Sequence, residues 1–208
     1  MQAAQNNRTP FILLAALLLW PTAVIVASKS GWLGSLSPFA PPPIAVLTIL
    51  VPSLGYWLIP SFRSYITRIG LRRLTSVHIL RIVAVPLFFW YGSHGLLPQS
   101  FVDTAGWGDL ASGVLALGVV LFWSRPAGYW TVHIFGMVDF VAAFGTAIRL
   151  TLSNPGAMHE ITGLPMALIP FFGVGFLATI HLIAYDLLIR NCRGPVKQLL
   201  QLQPTETL

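Results

Sequence analysis

Six apolar runs, each long enough to cross a bilayer, constrain this chain more than any other feature in it. They lie at 10–27, 43–60, 74–92, 106–123, 128–150 and 162–189, and roughly 20 helical residues span a hydrocarbon core about 30 Å thick. Unpaired backbone groups are too costly in lipid for anything but helices or a closed barrel, and runs this long without period-2 alternation exclude the barrel. The expected fold is therefore all-α, a polytopic membrane protein with six transmembrane helices. With 55% of residues hydrophobic and only 9% charged, a water-soluble domain is excluded as well. The chain divides into two scaffold helices and a basic cytoplasmic loop over 1–73, a four-helix membrane core over 74–190 in which helices three to six form a polar-cored bundle, and a cytoplasmic tail over 191–208.

The formal charge of +6 would suggest nucleic acid in a soluble protein; here the placement of the charges decides, and no nucleic-acid role is expected. With the N-terminus inside, Arg8, Arg63, Arg68, Arg72, Arg73, Arg125, Arg190, Arg193 and Lys197 fall on the cytoplasmic side. Lys29 and Arg149 remain outside, and Arg81 lies within a helix. This places the protein in a bacterial inner (plasma) membrane with both termini cytoplasmic, and sets loop 61–73 against anionic headgroups. Only Arg8 precedes the first run, which reads as a true helix rather than a cleaved signal. The single cysteine, Cys192, excludes disulfide and C-x-x-C chemistry and is expected to be a reduced thiol.

The first two spans contain no Asp, Glu, Lys, Arg or His, so chemistry is expected in the other four. Asp109 in AGWGDLASGVLALGVVLFW and Asp139 in HIFGMVDFVAAFGTAI each follow a glycine by three positions. A carboxylate in a span costs roughly 2.5–3.5 kcal/mol and therefore faces the bundle interior, a partner or water. At helical spacing Asp109, Gly113, Ala116 and Val120 share one face, as do Gly136, Asp139, Ala143 and Thr146, and such small faces allow close helix packing. At 1.5 Å per residue from the cytoplasmic ends, His78, His133, Arg81, His181 and Asp139 lie roughly 6 to 16 Å deep, in one slab. By the same ruler Asp109 sits about 5 Å from the outer edge, at the outer mouth of the pocket. A desolvated Arg81 needs a counter-charge, which Asp139 supplies. His181 is the titratable neighbour, placed to hydrogen-bond either member. His94, Asp103, His159 and Glu160 read as solvated residues of outer loops, and Pro170 is expected to kink the last helix or to free a carbonyl.

His78, His133 and His181 come from three helices at one depth, as bis-histidine haem b or a three-histidine metal site requires. No C-x-x-C-H and no H-E-x-x-H supports either, so no metal site is assigned and the cofactor stays open between none and haem b. Hydrolase motifs and a glycosidase-type carboxylate pair are absent.

The stretches GLLP (95–98), AGWGD ending at Asp109, GMVD ending at Asp139 and LPMALIP (164–170), together with Phe101 and Leu182 after His181, carry a resemblance. Over roughly residues 78–188 the chain resembles a group of small bacterial inner-membrane proteins with no assigned activity. The resemblance implies a helical membrane fold and points again to Arg81, Asp109, Asp139 and His181. The expected function is an intramembrane polar pocket that binds or transports a small solute or ion, with a possible proton link. The alternatives are a b-type haem or quinone-linked electron-transfer subunit, and an accessory subunit in contact with lipid and with other membrane subunits or further copies of itself. An enzyme is neither supported nor excluded.

Overall fold

The structure is a computed structural model that describes residues 8–201, with side chains described from 8 to 190. The expectations for the chain ends and for Cys192, Arg193 and Lys197 lie outside the described residues and side chains. The helices are α1 (Thr9–Lys29), α2 (Pro41–Leu58), α3 (Pro60–Ile69), α4 (Leu71–Ser76), α5 (Arg81–Ser93), α6 (Gln99–Phe122), α7 (Pro126–Ser153) and α8 (Val174–Gln201). Short 3-10 turns occupy Val77–Leu80 and His159–Thr162, and one π-helical turn occupies Ile169–Gly173. Among the described residues there is no strand. Six helical stretches among the described residues are long and apolar enough to cross a membrane: Thr9–Lys29, Pro41–Leu58, Leu71–Ser93, Gln99–Phe122, Pro126–Ser153 and Ile169–Arg190. The fold is the all-α, polytopic one that the apolar runs dictate.

Its outside is as greasy as its inside. Phe11, Leu19, Leu58, Val83, Phe122 and Leu152 are each more than two-thirds exposed, an arrangement that costs nothing when the solvent is acyl chain.

Several boundaries differ from the sequence reading, each for a local reason. The basic stretch after α2 is not a loop: PSFRSYITRI forms α3, with Pro60 at its first position. Phe62, Ile66 and Ile69 pack against the cluster of Tyr56, Leu74, Ile180, Ile183 and Leu187. Gly70, at φ +80°, then turns the chain into α4, a backbone that residues with a Cβ rarely adopt. The third span is broken at Val77–Leu80, where the tightened turn carries His78. α5 ends in a Schellman motif: Leu96 N–H donates to Tyr91 C=O at 2.9 Å, Gly95 N–H donates to Gly92 C=O at 3.0 Å, and Gly95 takes φ +66°. α6 begins at Gln99 rather than at 106, so Asp103 lies on a helix, accepting from Gln99 Nε2 at 2.7 Å, rather than in a loop.

α6 packs between α5 and α7, and α8 packs along α2 and α7. α2 is thus packed into the bundle. A Cβ on Gly175 would lie 2.7 Å from the Thr48 carbonyl oxygen, and the Ser53 and Thr179 hydroxyls meet at 3.3 Å. α1 is pinned from outside by two long-range bonds: Trp20 Nε1 donates to Phe171 C=O, and Ser28 Oγ donates to Thr162 C=O, both at 2.8 Å. The Phe171 carbonyl that Trp20 takes up belongs to the π turn that holds Pro170.

Candidate functional site

Arg81 opens α5, directly after the 3-10 turn, and is 2% exposed. A guanidinium at that depth must find acceptors from other helices. Its Nε donates to Asp109 Oδ1 at 2.6 Å, its Nη2 donates to Asp139 Oδ2, and its Nη1 donates to the Gly136 carbonyl at 3.5 Å. Its Cζ lies 4.2 Å from the centroid of the Phe140 ring, a cation–π contact in a desolvated place. Two glycines open the room for this: a Cβ on Gly108 would land on the Asp139 carboxylate, and one on Gly136 would lie 3.2 Å from Arg81 Nη1 and 2.5 Å from His181 Cε1.

Asp109 therefore does not stand at an outer mouth. α6 begins at Gln99, so Asp109 lies ten residues into the helix, about 15 Å along it at 1.5 Å per residue, and it meets Asp139 at the same guanidinium. His181, in turn, has no hydrogen bond to Arg81 or Asp139. Its Nδ1 is 2.8 Å from His133 Nδ1, and its ring is brought beside the arginine by the shared neighbours Gly136 and Phe140.

His78, His133 and His181 are each 0% exposed, and one ring nitrogen of each lies within 4.8 Å of the others. The rings of His78 and His181 stack at 4.0 Å with an interplanar angle of 24°, and His133 stands edge-on to both, at 5.3 and 5.0 Å. His133 Nε2 pairs with Thr75 Oγ1 at 3.0 Å, and Tyr185 Oη donates to the His133 carbonyl at 2.7 Å. Among the described residues, both nitrogens of His78 and Nε2 of His181 have no hydrogen-bond partner.

A cavity of about 80 Å³ adjoins the arginine. Arg81, Asp109 and Asp139 form its polar end, and Phe88, Phe101 and Met166 are among its apolar walls. Pro41, Pro42 and Ala45 of α2 also line it. The stacked pair does not fit bis-histidine haem ligation: such imidazoles approach an iron from opposite faces of a macrocycle, whereas stacking at 4.0 Å leaves no slot between His78 and His181. The cavity is smaller than the roughly 150 Å³ that admits a benzene ring.

Sequence reasoning passed over Thr75, Ser112, Phe140 and Asp186. Asp186 accepts from Tyr56 Oη at 2.7 Å and pairs with Arg63 at 3.3 Å and Arg190 at 2.8 Å. Its only sequence signal is the i,i+4 spacing to Arg190. Of the residues read as loop positions, His94 accompanies the end of α5, with its ring stacked on Trp90 at 4.3 Å. His159 and Glu160 lie in the 3-10 turn after α7.

No curated protein and no solved structure matches the chain. A family model does match residues 41–189, taking in α2 and every residue of the polar centre while leaving α1 outside. Over that stretch, which is most of its length, the chain belongs to the family described as a domain of unknown function, DUF8737.

Proposed function

We propose that this membrane protein binds a small ion or polar solute at the centre of its bundle, with a proton or a cation exchanged at the Asp109–Arg81–Asp139 triad. One observation carries the reading: a single buried guanidinium faces two buried carboxylates. Counting the imidazoles as neutral, the ionised triad holds one negative charge too many. Uncompensated buried charge costs several kcal/mol, so a proton or a small cation completes the site. The adjoining cavity of about 80 Å³ has room for a few waters or a small ion. The segregation of Lys and Arg supports an inner-membrane setting with the α3 side cytoplasmic.

The test is thermal unfolding of the purified chain in detergent, at constant ionic strength, with Li⁺, Na⁺, K⁺ and methylammonium and across a pH series. A ligand at 100 times its Kd stabilises by about 2.7 kcal/mol. The reading expects a cation- or proton-dependent shift that disappears in Asp109→Asn and Asp139→Asn, each of which already balances Arg81. An unresponsive native protein, or equal responses in native protein and variants, refutes it.

A further inference from the structure

We propose that His78, His133 and His181 form a binding site for a divalent first-row transition-metal ion beside the arginine triad. The inference deepens the reading above by naming a metal cation beside the triad, and rests on that reading only in that the triad's surplus negative charge offsets one of the ion's two positive charges.

Three features point to a metal rather than to a packed polar core. First, buried polar atoms are almost always hydrogen-bonded, yet three of the six ring nitrogens of this cluster have no partner among the described residues: Nδ1 and Nε2 of His78 and Nε2 of His181. A cluster that served only to fix helix register would use these atoms. Second, the ligand atoms already lie within 4.8 Å of one another, with every ring fully buried. Metal–nitrogen bonds of 2.0–2.1 Å in a tetrahedral site set nitrogens roughly 3.3 Å apart, a contraction within reach of ring rotation.

Third, the cluster has the outer support that metal-bound histidines use. With the Nε2 proton of His133 donated to Thr75 Oγ1, its Nδ1 carries the lone pair and faces the other two rings. On metal binding the proton shared between His133 Nδ1 and His181 Nδ1 passes to His181 Nε2, which frees both Nδ1 lone pairs and keeps each imidazole neutral. A neutral imidazole triad suits Zn²⁺, Co²⁺ or Cu²⁺ rather than Mg²⁺ or Ca²⁺. The neighbouring Arg81 does not repel such an ion, because two carboxylates surround the guanidinium and leave the region net negative. Three protein ligands leave a fourth position open to water or a solute.

The experiment is Co²⁺ binding by the chelator-stripped full chain in detergent, read by visible absorption and by metal analysis, with Zn²⁺ as competitor. One Co²⁺ per chain is expected, with the intense bands of four-coordinate cobalt, displaced by Zn²⁺ but not by Mg²⁺. Outer-shell partners are worth about 10- to 100-fold in affinity, so His78→Gln, His133→Gln and His181→Gln should each weaken binding by about 100-fold or more, and Thr75→Ala by about 10-fold. His94→Ala/His159→Ala should leave binding unchanged. Should a histidine variant lose its cooperative melt, the folded Thr75→Ala protein decides, and undiminished affinity there overturns the proposal. So does a folded native chain that retains no Co²⁺, or one whose Co²⁺ survives all three histidine substitutions. An Asp139-dependent cation shift without Co²⁺ binding sinks the metal site alone. Histidine-dependent Co²⁺ binding without that shift upholds the metal site and sinks the triad reading.

Discussion

The charge arithmetic of the triad predicts an unusual order of stabilities. Arg81 faces Asp109 through Nε at 2.6 Å and Asp139 through Nη2, with the arginine side chain 1% exposed and the carboxylates 12% and 7%. Asp109→Asn or Asp139→Asn removes one charge-assisted bond, worth about 1.5–3 kcal/mol, but also removes the surplus negative charge, so each single change should cost about 1–2 kcal/mol, below the full value of that bond. Asp109→Asn/Asp139→Asn strands the guanidinium, and stranding one member of a buried pair costs about 3–5 kcal/mol. Arg81→Gln strands two carboxylates and should cost at least as much. The triple change leaves no charge, and neutral replacement of buried ion networks is often tolerated, so it should be more stable than either Arg81→Gln or the double aspartate variant. Reversible unfolding in mixed micelles of graded SDS content, at fixed pH and salt, supplies the free energies. Strict additivity of the two aspartate changes, or a triple variant less stable than Arg81→Gln, would refute the reasoning.

The glycine contacts make a paired prediction. Gly108→Ala should destabilise by about 1–3 kcal/mol as its methyl displaces the Asp139 carboxylate. Gly118→Ala and Gly145→Ala, which meet nothing within 4 Å, should stabilise their helices by about 0.5–1 kcal/mol in the same micelle titration. At the other end of the bundle, Tyr56→Phe removes a 2.7 Å bond to the Asp186 carboxylate and should cost about 1.5–3 kcal/mol. Arg63→Gln, which breaks a part-exposed pair at 3.3 Å, should cost less than about 1 kcal/mol, and thermal melts of the two variants should keep that order. Ser28→Ala should free α1 from Thr162 and speed proteolysis in the Gly31–Ala40 connection, with little effect on the melt of the core.

The spans were legible because lipid leaves the backbone so few choices, although the runs at 106–123 and 162–189 miss the starts of the fourth and sixth spans by seven residues. Arg81 and Asp139 were legible as partners because a long, permanently charged side chain in a span has few places to go. Asp109 was misplaced by a boundary error: PQSFVDTAG reads as turn, yet it forms the first turns of α6, where Gln99 and Asp103 bond across one helical turn. That lengthening carries Asp109 inward by nearly two turns, at 1.5 Å per residue. The sharing of one depth by the histidines followed from counting residues. Their facing one another did not, because it depends on angular register, which the 3-10 turn at Val77–Leu80 resets without a sequence signal. Asp186 stayed hidden for a different reason: its strongest partner, Tyr56, is 130 positions away, and only the packing of α2 on α8 joins them.

The π turn at Ile169–Gly173 has a consequence for everything downstream of it. An α-helix advances 100° per residue, and a π turn houses one residue more than the α ladder does. Deleting a single residue there would swing His181, Tyr185 and Asp186 together by about 100°, because all three ride on the same rigid rod. The imidazole would turn away from its two companions in the same stroke that parted the acid from Tyr56. One residue of slack near the start of the last span thus sets the compass bearing of its entire inner half.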